Sequence, residues 1–277
     1  MLARRYGLAR GFDVYDDKID RPPPRGAQLV VHYEERAGLK TVDRAISWLL
    51  DQPGQPAMLW VHLWEPHIPY RPPPPLNERY RDDPYQGEVA AIDAIVGRLI
   101  DALRPLGRDG NALIAMASDH GEALGDHGED THGLFLYDEV MRVPWIVHGP
   151  AWGVRRATIE APVSVVDIAP TLLEMAGIEP LDAIDGLSLA AALRADAGVP
   201  ARAGVFAESW LPKLDFGWSG LRAVVSGDLK YVEAPRPELY DLTLDPGELD
   251  DLHERAAARA LDARATLAQL VAHSERL

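Results

Sequence analysis

At 277 residues, 47% of them hydrophobic, the chain is long enough to bury the core of one large domain, or of one domain and a small appendage. Its 28 basic and 43 acidic side chains leave a net charge of −15, which argues against nucleic acid or an anionic membrane surface as the main partner, so positive charge for an anionic ligand has to be local. The lack of cysteine excludes disulfides, cysteine-rich zinc sites and a cysteine nucleophile within these residues.

The first ten residues lack the continuous apolar stretch of a signal peptide, and no window approaches a membrane span. Residues 1–40 are irregular, with Pro22-Pro23-Pro24 and a short apolar piece at Leu29-Val30-Val31. Thr41 is a fitting cap for a helix carrying Val42, Ala45, Ile46 and Leu49 at helical spacing, closed by Pro53-Gly54. The run Ala57–Trp64 reads as a buried strand that delivers Glu65-Pro66-His67-Ile68-Pro69-Tyr70 into a loop. Arg71-Pro72-Pro73-Pro74-Pro75 is expected to be extended and solvated, a rim loop, because proline fixes φ and donates no hydrogen bond.

From Gln86 to Leu103 the apolar residues Val89, Ile92, Ile95, Val96, Leu99, Ile100 and Leu103 recur at three- and four-residue steps, an amphipathic helix. Strands follow at 111–117 and at Val143–His148. Alternating helices and strands predict an α/β fold with a mainly parallel sheet flanked by helices. If 57–64 and 111–117 are parallel neighbours in it, the loops after them share one crevice at the carboxyl ends of the strands. Asp167 is placed to cap a helix over Ala169–Ala176 that stops at Gly177, and Asp185-Gly186 reads as a turn. Past residue 200 the texture changes to short strands at Gly204–Glu208, Leu221–Val225, Leu229–Val232 and Glu238–Leu242, before a helix from about Ala256 to His273. The expected division is a catalytic domain over 1–200 and a small α+β subdomain over 201–277.

Chemistry concentrates in Ser118–Gly133, where three of the nine histidines and five carboxylates fall within sixteen residues directly behind a strand. Adjacent Asp119 and His120 offer an oxygen and an imidazole nitrogen to a metal, a mixture that suits zinc, manganese or iron better than calcium. Two ligands are fewer than the usual three or four, so others must come from elsewhere. His67 and His132 are candidates for contacting an oxyanion or for acid–base work at a leaving oxygen. A lone loop histidine is more often structural; two on converging loops beside an Asp-His pair favour chemistry. Glu122 either supports a ligand or caps a turn. Asp126, His127, Glu129 and Asp130 divide evenly between a solvated loop and direct chemistry, and Arg142 is expected in a salt bridge. His32, His62, His148, His253 and His273 have no constellation around them and read as structural or surface residues.

Ser118-Asp119-His120-Gly121-Glu122, with Gly125-Asp126-His127-Gly128, Thr131-His132-Gly133, Tyr137-Asp138-Glu139 and Arg142-Val143-Pro144, resembles the sulfatase family of the alkaline-phosphatase-like superfamily. Glu65–Tyr70, Tyr85–Gly97, Asp167–Leu173, Asp185–Leu189, Glu238–Leu242 and Asp245-Pro246-Gly247-Glu248 extend the likeness in the family's order from Gly7 to about Leu252. The resemblance implies that Asp119 and His120 ligate a divalent metal ion (zinc, manganese or calcium), and that His67 and His132 contact the sulfate or phosphate group of a small anionic ester. It also implies a Cys- or Ser-x-Pro-x-Arg element whose first residue becomes the formylglycine nucleophile. No serine here has that spacing, Ser209-Trp210-Leu211-Pro212-Lys213 being the nearest. Gly7–Asp13 resembles family sequence that follows the nucleophile, so the chain is expected to start partway through the fold, to show little turnover alone, and to self-associate through exposed edges. Hydrolysis of sulfate esters is the leading expectation. A phosphodiesterase or phosphonate monoester hydrolase of the same superfamily is the alternative, a lipid-head-group transferase ranks lower for want of membrane spans, and a non-catalytic anion- or metal-binding remnant is the reading from another class.

Overall fold

A computed structural model describes residues 2–19, 36–179 and 184–274. Pro22–Pro24, Leu29–Val31 and His32 lie outside these residues. The chain divides into two compact units, Met1–Asp109 and Gly110–Leu277.

The first unit is built on helices. Helix α1 (Gly38–Leu50) starts three residues before Thr41, which lies within it and accepts a hydrogen bond from Arg36 Nε. The N-terminus is satisfied from a distance instead, Gly38 N–H donating to Glu65 Oε1 at 2.8 Å. The short α2 (Leu76–Arg79) leads to α3 (Pro84–Leu103), which opens on Pro84 with the Asp83 side chain accepting from Gln86 N. Helices α1 and α3 pack together, burying Val42 and Leu49 from one and Ala91 and Ile95 from the other. An ion pair between Asp43 and Arg98 adds to that contact. The proline tract is not wholly solvated: Pro72 is buried, lying so close to Gly87 of α3 that a Cβ there would fall 2.7 Å from its Cγ.

One expected strand is not found among the described residues. Residues 57–64 make no ladder among the described residues, and Met58 and Trp60 are 73% and 49% exposed, where a buried strand was expected. Apolar composition favours burial only if a neighbouring strand is there to accept the main-chain groups.

In the second unit β1 (Ile114–Ala117) pairs antiparallel with β2 (Trp145–His148), Ile114 facing His148 and Ala117 facing Trp145. The short α4 (Asp138–Met141) precedes β2, and α5 (Ile168–Met175) and α6 (Ala190–Arg194) follow it. Asp167 caps the 3-10 turn ahead of α5 rather than α5 itself, accepting from Ser164 N at 2.8 Å; it also holds Leu187 N and Arg202. No turn is assigned at Asp185 or Gly186; Gly186 is buried at a site where a Cβ would fall 2.0 Å from Val166 O. Strand β3 (Val205–Ser209), helix α7 (Leu211–Phe216), strands β4 (Leu221–Ser226), β5 (Leu229–Glu233) and β6 (Glu238–Asp241), and helix α8 (Ala257–Ser274) complete the chain. The four strands form a meander in the order β3-β4-β5-β6, antiparallel throughout. Ala260, Ala263 and Leu267, at three- and four-residue steps along α8, bury against Val224, Tyr231 and Leu239 of this sheet. Every ladder among the described residues is therefore antiparallel, and the parallel pairs expected of a mainly parallel sheet are not among them.

Candidate active site

The loop after β1 holds three of the four residues singled out for chemistry. It begins as the strand ends, with Ser118 N–H donating to Pro144 O and Ser118 Oγ to His120 O. Gly121 then passes against helix α4: its N–H donates to Val140 O at 2.8 Å, and a Cβ at this position would lie 2.0 Å from Glu139 O. Only glycine fits that approach. Further on, Leu124 and His127 adopt left-handed backbone, at φ 54° and 52°, and wind the chain back so that Ala123 N–H reaches Thr131 O.

This return places His132 beside His120, their rings stacked with centroids 3.9 Å apart and an interplanar angle of 26°. His120 Nδ1 lies 2.9 Å from Gly121 O, and because a carbonyl only accepts, that nitrogen carries the proton. In the neutral ring the lone pair is then on Nε2, the atom 3.8 Å from Asp119 Oδ1. His132 Nδ1 donates to Oε1 of Glu122 at 3.0 Å, and the Glu122 side chain is almost wholly buried. A carboxylate holding one imidazole nitrogen so that the other can act is the usual support of a metal-binding or anion-binding histidine. Glu122, left open between two roles in the sequence, is thus the residue that orients His132. The Asp119 carboxylate is 75% exposed on its side chain.

Two other residues of the loop, Glu129 and His127, are committed to structure. Buried Glu129 accepts from Leu134 N and Phe135 N and so fixes the turn after His132. His127 Nε2 donates to Gly247 O, and its ring stacks on Tyr137 with centroids 3.6 Å apart. Asp126, Asp130 and Arg142 are exposed.

Behind the loop lies a buried polar assembly that sequence reasoning missed. Lys230 on β5 is fully buried, its Nζ 2.8 Å from Glu248 Oε1 and 3.2 Å from Asp138 Oδ1, while Asp138 N–H donates to Glu248 Oε2. Burial pushes the Glu248 carboxyl up against the opposing pull of Lys230. Tyr137 and Tyr240 both donate to Glu238 Oε2, and burial together with the Glu238 charge raises Tyr137 to about 12, so it stays a neutral donor. The only sequence signal was the pair of matched segments Tyr137-Asp138-Glu139 and Asp245–Glu248, which this network ties together.

His67, in the other unit, occupies a loop secured by two acidic side chains. Glu88 of α3 accepts from His67 N at 3.1 Å and from Arg71 N at 2.5 Å, while Glu65 caps α1. The His67 ring lies 4.1 Å from Trp64, and its Nδ1 donates to Ile68 O at 2.7 Å.

The donor set fits a divalent ion. Asp119 Oδ1 accepts from His120 N at 3.1 Å and lies 3.8 Å from His120 Nε2, so an oxygen and an imidazole nitrogen stand together at the loop surface, and a ring nitrogen of His132 lies within 4.8 Å of one of His120.

Comparison with known proteins places the chain in a class. By fold the chain is alkaline-phosphatase-like: it superposes on the phosphonate monoester hydrolase of Agrobacterium radiobacter with a TM-score of 0.71 at 23% identity, covering 87% of this chain and 62% of that one. The sulfatase family model matches residues 6–178, and that of the C-terminal region of N-sulphoglucosamine sulphohydrolase matches 125–274. The chain belongs to the sulfatase family. It is 29% identical over 258 residues to the uncharacterized sulfatase YidJ of Escherichia coli (strain K12), covering 76% of this chain and 50% of that protein. It is 30% identical over 186 residues to the N-acetylglucosamine-6-O-sulfatase of Bacteroides thetaiotaomicron, covering 65% of this chain and 33% of that protein. The chain thus spans half or less of the length of these two relatives.

Proposed function

We propose that Asp119, His120, His132 and His67 serve a divalent-metal-dependent hydrolase of sulfate esters, with sulfated sugars as the substrate class. The observation that carries this reading is the Asp119–His120 pair standing beside a His132 oriented by buried Glu122. Family membership and the sugar sulfatase among the relatives support the sulfate ester and the sugar.

Asp119 and His120 would hold the metal, which when bound supplies positive charge to the ester oxyanion and acidifies a coordinated oxygen. His132 contacts the anionic group by donating from Nε2 when that nitrogen is also protonated, with Glu122 countering the charge the ring then carries. His67 acts as the second anion contact, on a loop that Glu88 keeps from drifting. These residues account for binding and orienting the anion and for protonating the leaving alcohol; they do not include a nucleophile. Residues 1–200 are assigned the catalytic role and 201–277 that of a supporting subdomain, and self-association is expected through the exposed apolar residues of 57–60.

Thermal-shift titration with zinc, manganese and calcium tests the reading. A binding metal stabilises the chain by about 2.7 kcal/mol at a hundred times its Kd, and Asp119→Ala and His120→Ala abolish the shift. No shift with any of the three metals would leave a non-catalytic module as the better description. Parallel titration with sulfate and with a phosphonate monoester separates a sulfatase from a phosphonate hydrolase; the likeness to the latter's structure establishes the fold alone.

A further inference from the structure

The segment that follows β3 is unusual for a chain only 7% aromatic. Within nine residues it exposes Trp210, Phe216 and Trp218, the last two 54% and 60% exposed and stacked on each other at 4.9 Å. Monomeric surfaces seldom leave such a cluster in water without a use for it. Two cations are set on the Trp210 ring, Lys213 Nζ at 4.8 Å from its centroid and the Arg222 guanidinium at 5.6 Å. Acidic neighbours are present as well: Glu208 lies 3.9 Å from Arg222, and Asp215 is exposed on α7.

This surface is fastened to the candidate site. Ser209 Oγ donates to Gly133 O, and Leu211 packs so closely on Gly133 that a Cβ there would lie 3.0 Å from its Cδ2. The contact residue is the one that follows His132. The segment that carries the aromatic residues is therefore joined to the loop that carries His132.

We propose that Trp210, Phe216 and Trp218, with Lys213, form the subsite that receives the sugar ring of an anionic saccharide ester, and so set specificity for carbohydrate over simple sulfate. The inference rests on the reading that the His132 loop receives a sulfate group. A pyranose presents an apolar face of C–H groups that packs flat on an indole or phenyl ring, and its charged substituents project from the ring edge, where a lysine held over the neighbouring indole meets them. The exposed stacked pair supplies the flat face, and Lys213 supplies the charge.

NMR-detected titration of the full chain with glucosamine 6-sulfate, N-acetylglucosamine and inorganic sulfate tests the proposal. The variants are Phe216→Ala/Trp218→Ala, Lys213→Ala and His132→Gln. The double aromatic variant should weaken both sugars about tenfold and leave inorganic sulfate unchanged. Lys213→Ala should weaken the sulfated sugar more than the neutral one, and His132→Gln should weaken only the sulfated ligands. Unchanged sugar binding by the aromatic variant, or no sugar binding by the parent chain, would overturn the subsite while leaving the His132 reading intact. Equal affinity for sulfate with and without His132 would instead overturn that reading. Sedimentation runs alongside: a dimer of the parent chain that dissociates in the aromatic variant would make the patch an interface between copies and would also overturn the subsite.

Discussion

Glu122 governs which nitrogen of His132 bears the proton. Its buried carboxylate, 3.0 Å from Nδ1, favours the tautomer with the lone pair on Nε2. Nitrogen-15 chemical shifts of the His132 ring should report that tautomer as dominant in the parent chain, and Glu122→Gln should mix the two forms. The same variant should weaken inorganic sulfate binding about tenfold, the lower end of what losing a supporting partner costs. A sulfate affinity unmoved by Glu122→Gln would reduce the pair to packing. The Asp-His pair was visible in sequence because the two residues are adjacent. The Glu122–His132 link was not, since ten residues separate them and only the left-handed positions at Leu124 and His127 bring them together.

The loop 118–133 depends on where it crosses α4. Gly121 donates to Val140 O with no room for a side chain, so Gly121→Ala must push the loop off the helix at a cost of about 1–3 kcal/mol. Urea denaturation should show that loss, and the metal-dependent thermal shift should fall with it, because Asp119 and His120 immediately precede the crossing. Ordinary stability with full metal response in Gly121→Ala would mean that the loop is not positioned there. Helices α1 and α3 were legible because their periodicity reports a buried face directly, whereas the meander strands and α8 showed only as a change of texture and composition. Strand pairing is not local: Ala57–Trp64 has the composition of a buried strand, but its hydrogen-bonding partners cannot be read from its own residues. Pro72 likewise was assigned to solvent on composition and is buried because Gly87 offers it a notch.

At the scale of the whole molecule, two charge clusters tie distant segments together. Lys230, Glu248 and Asp138 join β5, the loop after β6 and the start of α4 in a group whose lysine and glutamate are fully buried and whose aspartate is half-buried. Removing the cation alone strands two carboxylates, so Lys230→Met should cost about 3–5 kcal/mol, and adding Glu248→Gln should recover part of it. Chemical denaturation of the single and double variants checks this; a single variant as stable as its parent would contradict it. Sequence gave no warning of a buried lysine, because one basic residue in a strand normally marks a solvated face. The second cluster sets an acid limit. Burial opposes ionisation of Asp16, but hydrogen bonds from Arg44 and Lys18 N and the charge of Arg36 prevail and hold its carboxyl at about 2, below the usual 3.8. A lowered folded-state value means stability that is present at neutral pH and lost on acidification, so Asp16 should contribute until pH falls through about 3.8 toward 2. In Asp16→Asn that part of the acid transition should flatten, as followed by circular dichroism against pH.

The exposed run Met58–Trp60 also gives the molecule a built-in reporter. Its isotope uptake in deuterated buffer can be set against that of β4 and β5, whose amides, in strands paired on both sides, should lag by orders of magnitude behind those of exposed loops. Any polypeptide, in cis or in trans, that zips onto this segment would then announce itself as newly slowed isotope uptake at Met58–Leu63, with no label, tag or assay of turnover required.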